Sequence, residues 1–235
     1  MQAVIMTGGL GTRLRPVTYR IPKGLIEVGG RPFLEHLILY LKKFRIEDIL
    51  LCTGYLGEMI EEYFEDGRRL GVRVNYSRES KPLGTGGALK LALPLLEDIF
   101  FLLNGDTFLP IDFAGMKDDF KRTKALALLS VFPVEGTEII PNLRVEEGEI
   151  TGCSMTVQEK DLTHVDAGVK LFQKEAADYF PPGKEFSLER DLYPRLIEAD
   201  KILAWPVERR FYDIGTPERI KVFEEYLNAR NAKSR

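Results

Sequence analysis

Ala3-Val4-Ile5-Met6-Thr7-Gly8-Gly9-Leu10-Gly11-Thr12-Arg13-Leu14-Arg15-Pro16 is a short apolar run that breaks into a loop holding three glycines and two arginines. The run is too short for an ordinary helix and rich in strand-forming residues, so it reads as a strand. An open α/β sheet places its ligand crevice just beyond the carboxyl end of such a strand. Working outward, further strand-like runs fall at 48–53, 72–77 and 99–103. Between them lie helical patterns: the stripe Phe33, Leu34, Leu37, Ile38 and Leu41 after Pro32, a second helix over 56–66, and a third opening at the glycines after Leu83. This alternation predicts the α/β class, with a Rossmann-like mixed, mainly parallel sheet flanked by helices in three α/β/α layers.

Beyond Asn104-Gly105-Asp106 the pattern is more mixed. A helix near 112–121, a strand at 125–132 and a Gly- and Glu-rich hairpin stretch come first. A strand at 165–172, a helix over 187–199 with Ser187 as its N-cap, a strand at 202–207 and a closing helix from Thr216-Pro217 follow. Ile220, Phe223 and Leu227 form the face of that last helix expected to pack on the body. With no sharp shift in composition over 235 residues, one domain spanning 1–235 is expected.

The 33 basic and 36 acidic residues leave a formal charge of -3, without the basic excess of a nucleic-acid surface, so any anionic ligand must be met by local charges. Cys52, inside an apolar run, and Cys153, in a Gly-flanked turn, have neither metal-ligand nor disulfide spacing. The apolar start has no basic leader, and no stretch approaches the roughly 20 apolar residues of a bilayer span. A soluble, cytoplasmic protein with no membrane or nucleic-acid partner is the expectation. His36 and His164 stand beside no Cys, Ser or Asp at a catalytic or metal spacing and are assigned no role.

Glycines let backbone N–H groups approach an anion, and successive amides in such a loop make a concave phosphate site. The loop after β-like 3–6 fits neither the P-loop, which needs a following Gly-Lys-Ser/Thr, nor the dinucleotide fingerprint, which needs another glycine. It does resemble, residue for residue, the Gly-Gly-x-Gly-Thr-Arg-Leu-x-Pro signature of the sugar-1-phosphate nucleotidyltransferases, also called nucleotide-sugar pyrophosphorylases. The resemblance continues in the family's order through Pro22-Lys23, Gly30-Arg31-Pro32, Leu83-Gly84-Thr85-Gly86-Gly87-Ala88, Leu103-Asn104-Gly105-Asp106, Glu159-Lys160, Ala167-Gly168 and Asp213-Ile214-Gly215-Thr216-Pro217. It covers nearly the whole chain.

That resemblance implies the nucleotide-diphospho-sugar transferase fold, with 1–110 mainly binding nucleotide and 111–235 mainly binding sugar phosphate. It implies Mg²⁺-dependent attack of a sugar 1-phosphate on the α-phosphorus of a nucleoside triphosphate, with pyrophosphate leaving. Such a reaction needs cations and in-line positioning and no protein nucleophile. The implied roles are Arg13, Lys23 and Asp106 in catalysis, and Asp106 with Asp213 as the Mg²⁺ ligands. Thr7, Gly8, Gly9, Gly11, Thr12, Arg13, Glu79, Leu83, Gly84, Thr85 and Gly105 would contact the nucleotide. Glu159, Lys160, Gly168 and Asp213 would contact the sugar phosphate. Taken from the residues alone, Asp106 and Asp213 each read first as a helix or turn cap, Asp213 preceding the helix start Thr216-Pro217.

Tyr76-Ser77, Glu79, Asn104-Gly105-Asp106-Thr107 and Phe186-Ser187-Leu188-Glu189 look closest to the D-glycero-D-manno-heptose 1-phosphate guanylyltransferases, with mannose-1-phosphate guanylyltransferases next. GTP is therefore the favoured triphosphate, with Glu79 able to accept from the guanine edge, and a homodimer the implied assembly. A uridylyl- or thymidylyltransferase acting on another hexose 1-phosphate, or a non-catalytic nucleotide-sugar sensor, are the rival readings. A sensor commonly loses a metal aspartate or the loop arginine, and both are kept here. A glycosyltransferase is disfavoured by the lack of Asp-x-Asp. The chain departs from the family pattern at Gly24, where proline is usual and whose flexibility is expected to loosen the loop holding Lys23. Asp161 also stands for a proline. Asp166 stands for a common asparagine and is expected to add negative charge beside the sugar.

Overall fold

The computed structural model describes residues 1–154 and 161–232. Its strands are β1 (Gln2–Met6), β2 (Glu27–Val28), β3 (Arg31–Pro32), β4 (Asp48–Thr53), β5 (Arg73–Arg78), β6 (Ile99–Asn104), β7 (Thr107–Phe108), β8 (Ala127–Pro133), β9 (Leu143–Glu146), β10 (Glu149–Cys153), β11 (His164–Gln173), β12 (Ile202–Pro206) and β13 (Tyr212–Asp213). The helices are α1 (Phe33–Lys43), α2 (Gly57–Phe64), α3 (Gly84–Ala92), α4 (Phe113–Lys121), α5 (Tyr193–Glu198) and α6 (Pro217–Ala232). Nine strands join in one sheet in the order β5-β4-β1-β6-β11-β8-β12-β10-β9. β5, β4, β1 and β6 are mutually parallel, as are β8 and β12, while β11 runs antiparallel to both β6 and β8.

Alternation along each central strand sends side chains to two cores. Ala3, Ile5, Leu51, Phe101 and Leu103 face the layer of α1, α2, α4 and α6. Val4, Leu50, Leu102 and Phe172 face α3 and α5. Continuous apolar strands of this kind are what a sheet covered on both faces requires. The final helix does pack on the body: Phe223 is fully buried, with Ile220 and Leu227 beside the core.

Local chemistry sets the element ends. Asp112 caps α4 by accepting the Ala114 N–H at 3.0 Å. The stretch expected as one helix over 187–199 divides into a π-helical turn, Leu188–Leu192, and α5. Ser187 does cap it, accepting from the Arg190 N–H at 3.3 Å. Pro194, in the first turn of α5, has no N–H to continue an α ladder from the preceding residues. Cys153, expected in a turn, ends strand β10.

The register places one row of residues at the functional end of the sheet. Met6 lies opposite Cys52 and Asn104, Cys52 opposite Ser77, and Leu103 opposite Val169. The segments that leave this row are Thr7-Gly8, Gly54, Glu79, Gly105-Asp106 and, from the antiparallel side, Gly168. They come from five regions of sequence to one edge, the edge where α/β sheets take their ligands.

Candidate active site

Thr7 follows β1 with both its N–H and its hydroxyl donating to the Cys52 carbonyl, at 2.9 and 2.8 Å, so its side chain anchors the glycine loop. Gly8 then passes Glu79 so closely that a Cβ there would sit 2.9 Å from Oε1; one on Gly54 would sit 2.7 Å from the same atom. Gly9 is open to solvent. Gly11 is left-handed, with φ +59°, and turns the chain into a 3₁₀ turn, Thr12–Leu14, that presents Thr12 and Arg13 on the surface.

Glu79 accepts the Leu83 N–H at 3.0 Å. Burial pushes its carboxyl up, and the Leu83 bond only partly opposes this. An open cleft of about 680 Å³ lies against it, bordered by Gly8, Leu10, Gly54, Tyr55 and Lys81. The adjoining glycines are explained by packing. A Cβ on Gly84, which is left-handed, would meet the Phe186 carbonyl at 2.6 Å, and one on Gly87 the Lys184 carbonyl at 2.2 Å. Thr85 spends its hydroxyl on the same neighbour, donating to Glu189 at 2.8 Å and accepting the Leu188 N–H at 2.9 Å.

The charged residues converge beyond β6. Gly105 donates its N–H to the Met6 carbonyl at 3.0 Å, an approach no side chain would permit, since a Cβ would be 2.4 Å from that oxygen. Asp106 follows, with Lys23 Nζ 2.6 Å from one carboxylate oxygen and the Thr107 hydroxyl donating to the other at 3.0 Å. Burial alone would raise this carboxyl. The Lys23 charge and hydrogen bond, the Thr107 bond and the Arg13 guanidinium outweigh it and hold the group below its ordinary value, hence ionised.

The loop around Gly24 is firmer than its glycine suggests: Lys23–Leu25 is a 3₁₀ turn, closed by Leu25 N–H to Pro22 and Ile26 N–H to Lys23 at 2.9 and 3.1 Å. Gly24 is buried there on Leu34. Asp213 reaches the cluster through two short strands. It pairs with Thr107 across β13 and β7, and the Ile214 N–H donates to the Asp106 carbonyl at 3.1 Å. Its carboxylate accepts from the Gly215 N–H at 2.8 Å and from Arg219 at 3.0 Å. Gly215 leaves room for Arg13, whose Nη2 would be 3.2 Å from a Cβ at that position.

Arg13, Lys23, Asp106 and Asp213 are thus brought together, and Gly168 lies next to them: a Cβ on this left-handed residue would meet Thr107 Cγ2 at 2.8 Å. A second cavity, of about 340 Å³, borders Asp213 and is lined also by Val165, Asp166, Arg210 and Arg219. Glu159 and Lys160 lie outside the described residues. Asp166 does not add free negative charge, because the Lys170 ammonium sits 3.1 Å from it. The sequence points to no role for Lys170 or Arg219, and to Glu189 only through the resemblance of Phe186-Ser187-Leu188-Glu189. A single lysine within the apolar run 165–172 was the available signal for the first of them. Neither histidine joins the cluster: His36 Nε2 is 2.7 Å from the Val28 carbonyl, and His164 Nδ1 is 2.8 Å from the Thr163 hydroxyl. Among the described residues no helix is long and apolar enough to cross a membrane.

The nucleotidyl transferase family model matches residues 2–139. D-glycero-alpha-D-manno-heptose 1-phosphate guanylyltransferase of Campylobacter jejuni is 36% identical over 222 residues, 93% of this chain and 96% of the relative. Mannose-1-phosphate guanylyltransferase of Mycobacterium tuberculosis is 33% identical over 93% of this chain, which spans 62% of that longer protein. The crystal structure of HddC from Yersinia pseudotuberculosis, complexed with GMP-PN, superposes with a TM-score of 0.80 at 27% identity, covering 96% of this chain and 99% of the other.

Proposed function

Because this chain belongs to the nucleotidyl transferase family, we propose that it joins a sugar 1-phosphate to a nucleoside triphosphate, releasing pyrophosphate and forming a nucleotide sugar. The favoured triphosphate is GTP and the favoured sugar D-glycero-α-D-manno-heptose 1-phosphate, with mannose 1-phosphate second. The observation that carries the reading is the meeting of Arg13, Lys23, Asp106 and Asp213 beside the glycine loop, at the carboxyl ends of the parallel strands.

In this proposal the backbone amides of Gly8–Thr12 receive the triphosphate, and Arg13 follows the charge that builds on the departing pyrophosphate. Lys23 neutralises phosphate oxygens next to the reacting centre. Gly168 and the main chain around it face the sugar, and Glu79 accepts from the guanine edge. Asp106 and Asp213 suit a divalent cation. Among the described residues no cluster of three or more acidic, His or Cys ligands exists, and Mg²⁺ asks for one or two carboxylates plus phosphate oxygens. When bound, Mg²⁺ supplies neutralisation of phosphate charge. The protein's own part is to keep the Asp106 carboxylate ionised in a half-buried place, to hold Asp213 beside it through β7 and β13, and to align the sugar phosphate with the α-phosphorus.

The test is pyrophosphate release with Mg²⁺ for each of four nucleoside triphosphates against heptose, mannose, glucose and N-acetylglucosamine 1-phosphates. Turnover with GTP and heptose 1-phosphate is the expected result. Turnover with UTP or dTTP instead would overturn the guanylyl assignment. Silence everywhere, together with heat stabilisation by nucleotide sugars, would replace catalysis by sensing.

A further inference from the structure

Lys170 lies among Val169, Leu171 and Phe172 on β11 and is 1% exposed. A methionine or leucine would fill that core position without the desolvation cost of an ammonium, so the charge calls for a reason beyond packing. Its partners lie on two different strands. One hydrogen goes to Asn104 Oδ1 on β6 at 2.8 Å, and the ammonium is 3.1 Å from Asp166 Oδ2 on its own strand. Each partner precedes a residue of the cleft by two positions: Asn104 precedes Asp106, and Asp166 precedes Gly168.

The geometry between those positions is unusual. The register of β11 on β8 shifts between Asp166 and Lys170, leaving Ala167, Gly168 and Val169 across from Ser130 alone. Ser130 fills the gap by donating to the Val169 carbonyl at 2.7 Å and accepting its N–H at 3.2 Å. Asp166 Oδ1 takes the Gly168 N–H at 2.8 Å, while Oδ2 also accepts from Tyr193 at 3.3 Å. The bulge aims Gly168 at Thr107, and Thr107 donates to Asp106.

We propose that Lys170 is a positioning residue: by holding Asn104 and Asp166 at once, it fixes the Asp166–Gly168 turn relative to the Asn104–Asp106 loop. The spacing between sugar and reacting phosphate is set in this way. This deepens the reading above and rests on it for the identity of the substrate. Each carboxylate oxygen of Asp166 already has a protein donor, so the Asp166 charge is tied to the turn and helps to hold it.

Lys170→Met tests this, with Asp166→Asn/Lys170→Met as the charge-balanced control. The expected result is a KM for heptose 1-phosphate raised about tenfold or more in both variants, with the KM for GTP held within about twofold. Should the single variant fail to fold, the double variant decides. Unchanged KM values in folded protein, an equal rise for both substrates, or full restoration in the double variant would each overturn the proposal; the last would mean that only the stranded Asp166 charge mattered. Amide exchange supplies a readout that needs no substrate. Faster exchange is expected in peptides covering 103–108 and 164–171 together, with β4 unchanged, and unaltered exchange in both would also overturn it. Wild-type turnover in the same assay separately tests the substrate reading.

Discussion

Around Gly8–Lys23 the cations stand at the cleft, Arg13 exposed beside Gly215 and Lys23, largely buried, held by Asp106. On β11 and the π-helical turn, charges are instead met inside the fold: Lys170 by Asp166 and Asn104, Glu189 by Thr85 and Ser187. In the proposed reaction the first region offers the Arg13 charge to the triphosphate, on whose leaving group negative charge builds. The second uses its charges on one another and on main-chain groups, and so fixes the shape of the turn that, in the proposed reaction, faces the ring of the sugar phosphate. The exposed guanidinium of Arg13 is thus left to answer a phosphate, while the charges of the second region are spent on shape.

The deepest break in this arrangement is at Asp106, the residue where the two sides meet. Asp106→Asn keeps the shape and the Thr107 contact but removes the charge facing Lys23 and Arg13. A loss of about 10³-fold in turnover is expected, read by pyrophosphate release, with the fold intact by circular dichroism. A near-normal rate would remove Asp106 from catalysis and from the cation site together.

In the second region the expected effect is on stability. Glu189 is half-buried, and desolvation alone would raise its carboxyl. The Lys170 charge and the Ser187 and Thr85 hydroxyls outweigh that and hold it below its ordinary value. The folded state therefore releases this proton more readily than the unfolded chain. Its contribution is complete above about pH 4.5 and is lost as pH falls through the lower folded value. Glu189→Gln should cost about 1–2 kcal/mol at neutral pH in urea melts, the gap closing on acidification. A gap independent of pH would show that only hydrogen bonding matters there.

Glu79, packed against the glycine loop, has the opposite sign. Burial raises its carboxyl, so ionisation opposes folding above the ordinary value, and the penalty fades as pH falls through the raised one. Glu79→Gln should therefore be no less stable than wild type at neutral pH, with its relative advantage disappearing in acid. The same variant sharpens the functional contrast: the ratio of kcat/KM for GTP over UTP should fall. An unchanged ratio would count against base reading by this carboxylate.

The two regions also differ in how well they can be read from sequence. The glycine loop is local, and its strand, its glycines and its arginines fall within residues 3–16, where spacing alone speaks. Asp106 and Asp213 are joined by two-residue strands too short to leave any periodicity, and only the family resemblance linked them. Gly84 is expected from the resemblance as a nucleotide contact, yet what requires a glycine at 84 and at 87 is packing: backbone carbonyls of Phe186 and Lys184 fill the space a side chain would need. Such contacts lie about a hundred residues away in sequence and have no local signature. Lys170 was legible in principle, because a charge in a buried strand demands a partner, and Asp166 four residues earlier shares its face of the strand.

The smallest effect concerns Gly24, where a proline is usual and a loosened Lys23 loop was the expectation. The 3₁₀ turn, its two hydrogen bonds and the burial on Leu34 show a loop already held. Gly24 does not need a left-handed backbone, and a Cβ there would meet Leu34 at 3.5–3.6 Å, ordinary van der Waals contact. The glycine's freedom is thus spent in the unfolded chain. Gly24→Ala should stabilise the protein by about 0.4–1 kcal/mol in denaturant melts, without changing turnover. If stability rises and turnover falls, the loop must move during catalysis, and Lys23 would have to be counted among groups that travel with the pyrophosphate rather than groups fixed before it leaves.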